Sequence, residues 1–393
     1  MRSIQPNSTL SRRSLLLGMV GSVAQLTGCG GSGGTGSFTS GTISGLGSII
    51  VNGIRYNDDN ATLISRDDGT PFGDALKVGM VVSIQGSSVT AANTLNGTAT
   101  ATAYRISCGS EWEGPVGKIS AASFDLLGLT VDVLASTVFD GAATQLTGLT
   151  TSHFAEVHGY VDPATGRLQA SRVEVSTTAP TEYKLSGVVN NIDSGNRTFK
   201  LGANTQLSNP ISWGGSTSTP TSWTDGVFVR VKMVPTNPLL VTQIRLLTSP
   251  LVQLSADDEY DAEIHGVVSA FVSIANFTVN GIPVDASTAR IAGGTVALGV
   301  RVEIHGSINK GILIATKVET PSNTDVATHE FEFHGIVSAL NATAQTFDLH
   351  GLTFQYDSNT SIQGVTMADG ARIEIKATRP WGVWLATEVR ADD

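Results

Sequence analysis

The sequence predicts an all-β protein that is assembled from repeated small β-barrels. Three observations predict this fold class. The 393-residue chain contains 43 glycines and only 15% charged residues, a composition typical of short strands joined by tight turns. Apolar and polar residues alternate with the period of a strand, and no long stretch has the period of an amphipathic helix. The same pattern also recurs roughly every 70 residues along the chain.

The N-terminal segment is predicted to be an export signal, which is excluded from the fold. Residues 11–16 (SRRSLL) resemble a twin-arginine signal, and an apolar stretch follows them. Residues 26–29 (LTGC) resemble a bacterial lipobox. We therefore predict a signal peptide over 1–28, lipidation of Cys29, and a Gly/Ser tether over 29–37. The alternatives are an ordinary signal peptide with a chance cysteine, and export by the general route.

The predicted anchor defines a location and a first partner, the membrane. Gly30 follows the cysteine where inner-membrane lipoproteins of this kind carry Asp, which predicts an outer-membrane lipoprotein facing the periplasm or the cell surface. Loss of residues 1–28 removes three arginines and no acid, so the formal charge changes from −10 to −13. An acidic surface disfavours the phosphate backbone of nucleic acids. Cys108 is then the one remaining thiol, and we predict it as a buried residue near a strand end.

Five units share one pattern, and each has a glycine after its first strand. The fourth unit shows the pattern best: a strand at 262–268, a hairpin at 277–285, a strand at 298–306 and a last strand at 312–319. Its hairpin turns at Asn280-Gly281, a dipeptide favoured in type I′ turns. The aligned glycines are Gly41, Gly114, Gly187, Gly266 and Gly335. The predicted boundaries are 38–109, 110–180, 181–256, 257–325 and 326–393.

The third unit departs from the pattern. Its hairpin (Phe199, Leu201 and Gly202) is degraded, and residues 208–224 are predicted to be an insertion rich in Ser, Thr, Gly and Pro.

About five strands per unit predict a small barrel. A lone hairpin is marginal in water, whereas a closed five-stranded unit buries one face and removes its edges. The economical solution is a partly open barrel of the OB (oligonucleotide/oligosaccharide-binding) type, repeated five times as separate or loosely packed bodies. The alternatives are a continuous sandwich and a solenoid, whose repeats are normally shorter.

The repeated signature resembles a known family. It consists of a strand ending in Gly, an aromatic–x–apolar–x–Gly hairpin, an apolar-Gly-x-x-Val-x-Ile-x-Gly strand and a final Leu/Ile-x-Ala-x-x-Val. It looks like a repeated, OB-like bacterial domain of unknown function that is found in exported lipoproteins. The resemblance covers about 350 residues; it implies a fold and a location but no catalytic residues.

Glu-x-His strings are the candidate metal ligands. They lie before a glycine at 156–158, 263–265, 303–305 and 332–334, where residues two apart share one face of a strand. We expect them to face solvent. In the fourth unit, neighbouring strands would bring together Glu263, His265, Glu303 and His305, a ligand set suited to Zn²⁺ or Cu²⁺. The alternative is a set of exposed polar residues inherited by duplication.

Three tryptophans are the candidate ligand-binding residues. Trp213 and Trp223 lie in the predicted insertion, and Trp381 lies in the last hairpin. Aromatic faces on barrel loops can stack on sugars. The alternative is that these side chains cover the ends of their barrels.

No catalytic constellation is recognisable in the sequence. We therefore predict a non-enzymatic, lipid-anchored envelope protein whose barrels bind a glycan or another envelope protein, by analogy of fold. The alternatives are an envelope metal-binding protein that uses a divalent ion at the Glu-x-His strands, and an enzyme acting on envelope polymers. The identity of the ligand stays open.

Overall fold

The computed structural model describes residues 36–92, 97–202, 210–221, 223–235, 240–247, 249–254, 260–321, 330–379 and 382–392. These residues form 29 β-strands, their turns and two short 3-10 helices, at Leu146–Gly148 and Pro250–Gln253. The prediction of an all-β protein is confirmed. In this part of the chain, no helix has the length and apolar character needed to cross a membrane. The signal peptide and Cys29 lie outside the described residues.

Barrel 1 (residues 36–108) shows the closure that the other barrels share. Its strands are β1 (Gly36–Leu46), β2 (Ile49–Val51), β3 (Ile54–Asn57), β4 (Thr62–Ser65), β5 (Val81–Gly86) and β6 (Ala99–Cys108). Strands β1, β2 and β3 form an antiparallel meander, β3 runs parallel to β6, and β5 pairs with both β6 and β1. The short β4 extends along β6. This closed order is that of a five-stranded, OB-like Greek-key barrel.

Barrels 2 (residues 112–176) and 3 (residues 183–246) close in the same order. The strands of barrel 2 are β7 (Trp112–Ile119), β8 (Ser123–Leu126), β9 (Leu129–Gly141), β10 (Phe154–Val161) and β11 (Leu168–Ser176). Those of barrel 3 are β12 (Tyr183–Asp193), β13 (Thr198–Leu201), β14 (Ile211–Ser218), β15 (Phe228–Met233) and β16 (Leu240–Leu246). In each barrel the third strand is parallel to the fifth, and the fourth pairs with the first.

Barrels 4 (residues 260–319) and 5 (residues 331–391) add short extra strands to this scheme. The strands of barrel 4 are β17 (Tyr260–Ser273), β18 (Asn276–Val279), β19 (Ile282–Asp285), β20 (Arg290–Ala292), β21 (Arg301–Asn309) and β22 (Ile312–Glu319). Those of barrel 5 are β23 (Phe331–Ile336), β24 (Ser338–Asn341), β25 (Thr346–Leu349), β26 (Leu352–Gln355), β27 (Ser361–Gln363), β28 (Arg372–Thr378) and β29 (Trp384–Ala391). Strands β20 and β27 each pair in parallel with the last strand of their barrel, as β4 pairs with β6.

Two segments that the sequence predicted to lie outside the barrel strands contain strand residues. The predicted insertion 208–224 contains β14, a barrel strand that pairs with β13 and β16. Its Gly- and Ser-rich composition hid the strand, because the apolar alternation is lost after Trp213. Strand β1 begins at Gly36, two residues inside the predicted tether 29–37, because Gly36 and Ser37 pair with Tyr260 and Asp261 of barrel 4.

The barrels are not separate or loosely packed bodies, which corrects the prediction. The first half of β1 runs parallel to β17, with Gly36–Ser40 opposite Tyr260–Ile264. The end of β1 runs parallel to β23, where Gly45 lies opposite Glu332. Barrels 2 and 3 share one continuous hydrophobic core. Strand β1 therefore pairs with both barrel 4 and barrel 5, while barrels 2 and 3 are joined through their shared core.

The aligned glycines have a physical reason, which barrel 4 shows. Asn280 occupies the hairpin turn with a φ of +50°, and Gly281 follows with +78°, as a type I′ turn requires. The Asn280 side chain folds back over Gly266, donates to the carbonyl of His265 at 3.3 Å and accepts from the amide of Val267 at 3.0 Å. A Cβ on Gly266 would lie 2.1 Å from the Asn280 Nδ2. Glycine is required here to admit that side chain.

Replacing Gly266 by Ala should lower the free energy of unfolding by about 1–3 kcal/mol, because the added methyl group displaces Asn280 from its two backbone hydrogen bonds. Urea unfolding followed by circular dichroism measures the change. The control is Gly73→Ala, since Gly73 has open space around its Cβ position and should change stability little. Equal effects of the two substitutions would contradict the role of the Asn280 side chain.

Candidate functional site: an inter-barrel cavity and three charged clusters

A cavity of about 380 Å³ lies where barrels 1, 2, 3 and 4 meet. Its volume falls in the range of sites that bind small organic ligands. Barrel 1 contributes the outer face of β1, β5 and β6, and barrel 4 contributes the β17–β18–β19 hairpins. The segment after barrel 3, from Ser249 to Leu254, closes a further side. The cavity thus exists because the barrels pack against one another.

The walls of the cavity combine apolar surface with hydrogen-bonding groups. Phe38 and Val81 are buried apolar residues of barrel 1 at this wall. Beside them the hydroxyls of Ser40 and Ser83 bond to each other at 3.2 Å, and Asn280 faces the cavity from barrel 4. Such a lining can hold an apolar ring face while its hydroxyls and amides fix polar substituents.

Tyr160 of barrel 2 fixes the cavity walls in place. It forms a small buried cluster with Val81 of barrel 1 and Val267 of barrel 4. Its hydroxyl lies 3.1 Å from the Thr42 Oγ1, and the Arg301 guanidinium lies over its ring at 5.3 Å from the centroid. One side chain thereby joins three barrels beside the cavity.

The first charged cluster, the junction cluster, lies between barrels 1, 2 and 3. Arg230, which is 2% exposed, donates to the Asp67 carboxylate, to the Ser110 carbonyl at 2.6 Å and to the Glu111 Oε2 at 3.3 Å. Glu111 also accepts from Arg66 and from the Ser186 hydroxyl. Because the carboxylates of Asp67 and Glu111 and the guanidinium of Arg230 are removed from water, each buried charge is stabilised by the opposite charges around it.

His158 of β10 lies close to the junction cluster and is 1% exposed. Neither of its ring nitrogens has a hydrogen-bond partner, and the nearest carboxylate oxygen, from Glu156, is 3.9 Å away. Burial holds the pKa of His158 well below its usual value, and nearby cations lower the pKa further. Those cations are Arg172, Arg66, Lys184 and Arg230. His158 is therefore neutral in the folded protein at neutral pH.

Acidification should destabilise the fold through His158. The unfolded chain protonates this imidazole near pH 6.5, whereas the folded chain does so only at lower pH. The unfolded state thus binds more protons, and stability falls as pH drops below 6.5, by up to about 1.4 kcal/mol per pH unit. Urea unfolding at several pH values between 7.5 and 5.5 measures this. The free energy of unfolding should fall less steeply with decreasing pH for His158→Gln than for the unchanged protein. Identical slopes would contradict the assignment.

The second cluster is the patch on barrel 4 that the sequence predicted. Strands β17 and β21 are neighbours, and their register places Glu263 opposite His305 and His265 opposite Glu303. His265 Nε2 lies 3.1 Å from the Glu263 Oε1, but its Nδ1 is 4.0 Å from the Glu303 Oε1, and His305 Nδ1 is 3.8 Å from the Glu263 Oε2. The juxtaposition is confirmed. Metal binding by these residues stays a prediction.

The third cluster lies at the corresponding positions of barrel 5. His334 on β23 contacts the Glu332 Oε1 through Nε2 and the Asp392 Oδ1 through Nδ1, each at 2.8 Å. Glu374 on β28 lies opposite His334, and ligand atoms of Glu332, His334 and Glu374 lie within 4.8 Å of one another. Burial lowers the pKa of His334, but its two carboxylate partners outweigh burial and leave the pKa raised.

The expectation that the Glu-x-His strings face solvent is wrong for two of them. His158 and His334 are 1% and 4% exposed. Both point away from the interior of their own barrel, but a neighbouring barrel packs against that face. Glu374 and Asp392 were not singled out in the sequence, because they lie on other strands and outside the Glu-x-His pattern.

The candidate tryptophans pack against an aromatic core residue. Trp213 and Trp223 lie 5.8 and 5.2 Å from Phe199 and 5.3 Å from each other, measured between ring centroids. Both are half-buried against the core of barrels 2 and 3. Trp381 lies outside the described residues. Ligand binding by these rings stays a prediction.

Cys108 ends β6 and is 1% exposed, as predicted for a buried thiol. Burial raises its pKa to about 12, so it is a protonated thiol at neutral pH and a poor nucleophile.

Comparisons with known proteins give one family match. The profile of a family described as "Domain of unknown function (DUF5666)" matches residues 38–99, 113–174, 265–319 and 334–390. These segments correspond to barrels 1, 2, 4 and 5. No curated protein matches the chain. Among solved structures, one titled "drosophila Unr CSD456" is 13% identical and covers 55% of this chain and 98% of its own, with a TM-score of 0.13.

Proposed function

The chain belongs to the DUF5666 family, whose profile matches more than half of it. From this premise we propose that the protein is anchored in the cell envelope by a lipid, binds a ligand and catalyses no reaction. In this proposal all five barrels are copies of the family's OB-like domain. Barrel 3 is a diverged copy that the profile does not match, and its strand pairings support this. The binding site is built from several copies together.

The cavity between the barrels carries the proposal. Its size of about 380 Å³ suits one or two sugar rings or a compact organic group. The hydroxyls of Ser40 and Ser83 offer donors and acceptors of the kind that bind sugar hydroxyls. The amide of Asn280, which already bonds to the His265 carbonyl and the Val267 amide, has a second N–H and a second oxygen lone pair for the same purpose. Phe38 and Val81 form the buried apolar part of the wall beside these groups. An envelope glycan is therefore the favoured ligand, and an envelope protein is the alternative.

The net charge of −10 supports a ligand other than nucleic acid, because an acidic protein repels a phosphate backbone. Lipidation at Cys29 and an outer-membrane location, facing the periplasm or the cell surface, are part of the same proposal. The lipobox-like sequence LTGC at 26–29 supports them. A thioether-linked lipid and an N-acyl chain on Cys29 would together give the stable anchoring that a single chain does not.

A cavity-filling variant tests ligand binding. Ala270 lies on the exposed part of β17 at the cavity wall, so Ala270→Trp fills the cavity without replacing a core residue. We expect the full-length protein in detergent to bind immobilised oligosaccharides released from the bacterial envelope, and Ala270→Trp to lose that binding. Ser358→Trp, in an exposed turn of barrel 5, is the control and should bind normally.

Three outcomes of this experiment would redirect the proposal. Equal binding by Ala270→Trp would remove the cavity as the site. Binding of an envelope protein in place of every glycan would favour the alternative partner. Shortening of the oligosaccharides during incubation would show an enzyme. The anchor is tested separately: cells fed labelled palmitate should label the protein, and Cys29→Ser should remove the label.

A further inference from the structure

The His–carboxylate cluster of barrel 5 has the arrangement of a metal site, and it lies apart from the cavity. Glu332 and His334 share one face of β23, and Glu374 projects from the neighbouring β28 on the same face. One ligand atom from each lies within 4.8 Å of the others. Two carboxylates and one imidazole form a ligand set that binds Zn²⁺ and related divalent ions.

Asp392 orients the histidine, as a carboxylate behind a metal-binding histidine does in metal sites. Its Oδ1 accepts from the His334 Nδ1 at 2.8 Å, and both side chains are 4% exposed. With Nδ1 engaged in this way, Nε2 is the nitrogen directed at Glu332. Metal-binding histidines commonly donate their second ring N–H to a carboxylate, which fixes the ring and strengthens the ligand.

Surrounding residues hold the carboxylates in place but leave them reachable. Thr98 of barrel 1 donates to the Glu332 Oε1 at 2.8 Å, and Arg390 donates to Glu374. His350 donates to the His334 carbonyl at 2.7 Å. The side chains of Glu332 and Glu374 remain 21% and 12% exposed. An ion can therefore reach the two carboxylates from solvent.

Barrel 4 offers a natural comparison, because it carries Glu263, His265 and Glu303 at the corresponding positions. The register pairs Glu303 with Glu319 and Glu374 with Arg390, so the position of Asp392 corresponds to Pro321. Barrel 4 thus has no carboxylate there to orient its histidine. Its His265 Nδ1 lies 4.0 Å from Glu303. The orienting residue distinguishes the two barrels.

We propose that Glu332, the Nε2 of His334 and Glu374 bind a divalent cation of the zinc class, with Asp392 as the residue that positions His334. The ion takes the place of the proton between Nε2 and Glu332, and that proton leaves to solvent. Water completes the coordination. The site stabilises the contact between barrels 1 and 5, because Thr98 and β1 lie against Glu332.

Equilibrium dialysis of the full-length protein, purified without a polyhistidine tag and freed of metal by a chelator, tests this site. We expect one saturable Zn²⁺ per chain and a higher melting temperature with Zn²⁺ present. His334→Gln should abolish saturable binding and the thermal shift. Asp392→Asn should weaken binding about 10- to 100-fold while leaving the three ligands in place.

His265→Gln is the matched control and should leave the barrel 5 site at full occupancy. Circular dichroism of the metal-free variants shows whether each one folds. If His334→Gln does not fold, loss or weakening of Zn²⁺ binding in Asp392→Asn and Glu374→Gln tests the site in its place. Absence of saturable Zn²⁺ binding would overturn the proposal. Zn²⁺ binding that His265→Gln removes and that the barrel 5 variants retain would overturn it equally.

Discussion

Replacing Arg230 by Met should lower the free energy of unfolding by about 3–5 kcal/mol. Arg230 lies in the junction cluster and bonds to Asp67, Glu111 and the Ser110 carbonyl. Methionine preserves much of the apolar stem, so the loss reports the charge. It leaves Asp67 and Glu111 with fewer cationic partners at a place from which water is excluded, and an unpaired buried carboxylate is strongly unfavourable. Urea unfolding measures the effect.

Lys232→Met is the matched control for Arg230→Met. Lys232 lies two residues away on the same strand and pairs with Glu182 at 3.0 Å, but this pair is partly exposed to solvent. Solvent-exposed ion pairs contribute about 0–1 kcal/mol, so this variant should change stability little. A loss below about 1 kcal/mol for Arg230→Met would contradict the importance of the junction cluster.

Replacing Trp112 by Ala should lower the free energy of unfolding by about 3–5 kcal/mol. Trp112 is fully buried in the core that barrels 2 and 3 share. Its indole Nε1 donates to the Ser186 carbonyl of barrel 3 at 2.7 Å. Alanine leaves a void in that core and removes the hydrogen bond between the barrels at the same time.

Trp112→Phe separates the two contributions. Phenylalanine keeps most of the packing but leaves the Ser186 carbonyl without its indole donor, which should lower stability by about 1–3 kcal/mol. Leu246→Ala, at a 39% exposed position of barrel 3, is the control and should stay within about 0.5 kcal/mol of the parent. A Trp112→Ala protein as stable as this control would contradict the shared core.

The strand pattern was readable in the sequence because its causes are local. Alternation of apolar residues and a turn such as Asn280-Gly281 favour a hairpin through local conformation alone, and pairing of the strands then closes the barrel. Strand β14 escaped recognition because its second half lacks apolar residues and is held by pairing with β13 and β16 instead. Pairing partners of that kind cannot be seen in one segment alone.

The candidate sites could be predicted only within one barrel. Glu263, His265, Glu303 and His305 lie on adjacent strands of one unit, and their juxtaposition was predicted. The cavity and the junction cluster draw on several barrels, so no single repeat contains their pattern. A residue that points out of its own barrel was expected to meet water. His158 and His334 contact another barrel instead. Nothing in the sequence indicated this, because the contacts between units do not recur with the repeat.

The parallel pairing of β1 sets the order in which this protein can be completed as it is synthesised. Gly36–Ser40 pair with Tyr260–Ile264, and Gly45 pairs with Glu332. Both partner segments leave the ribosome long after β1 itself. Barrel 1 can close on local contacts, but its outer contacts wait until most of the chain exists. Contacts between such distant segments form slowly, so we expect the docking of barrels 4 and 5 onto β1 to come late in folding.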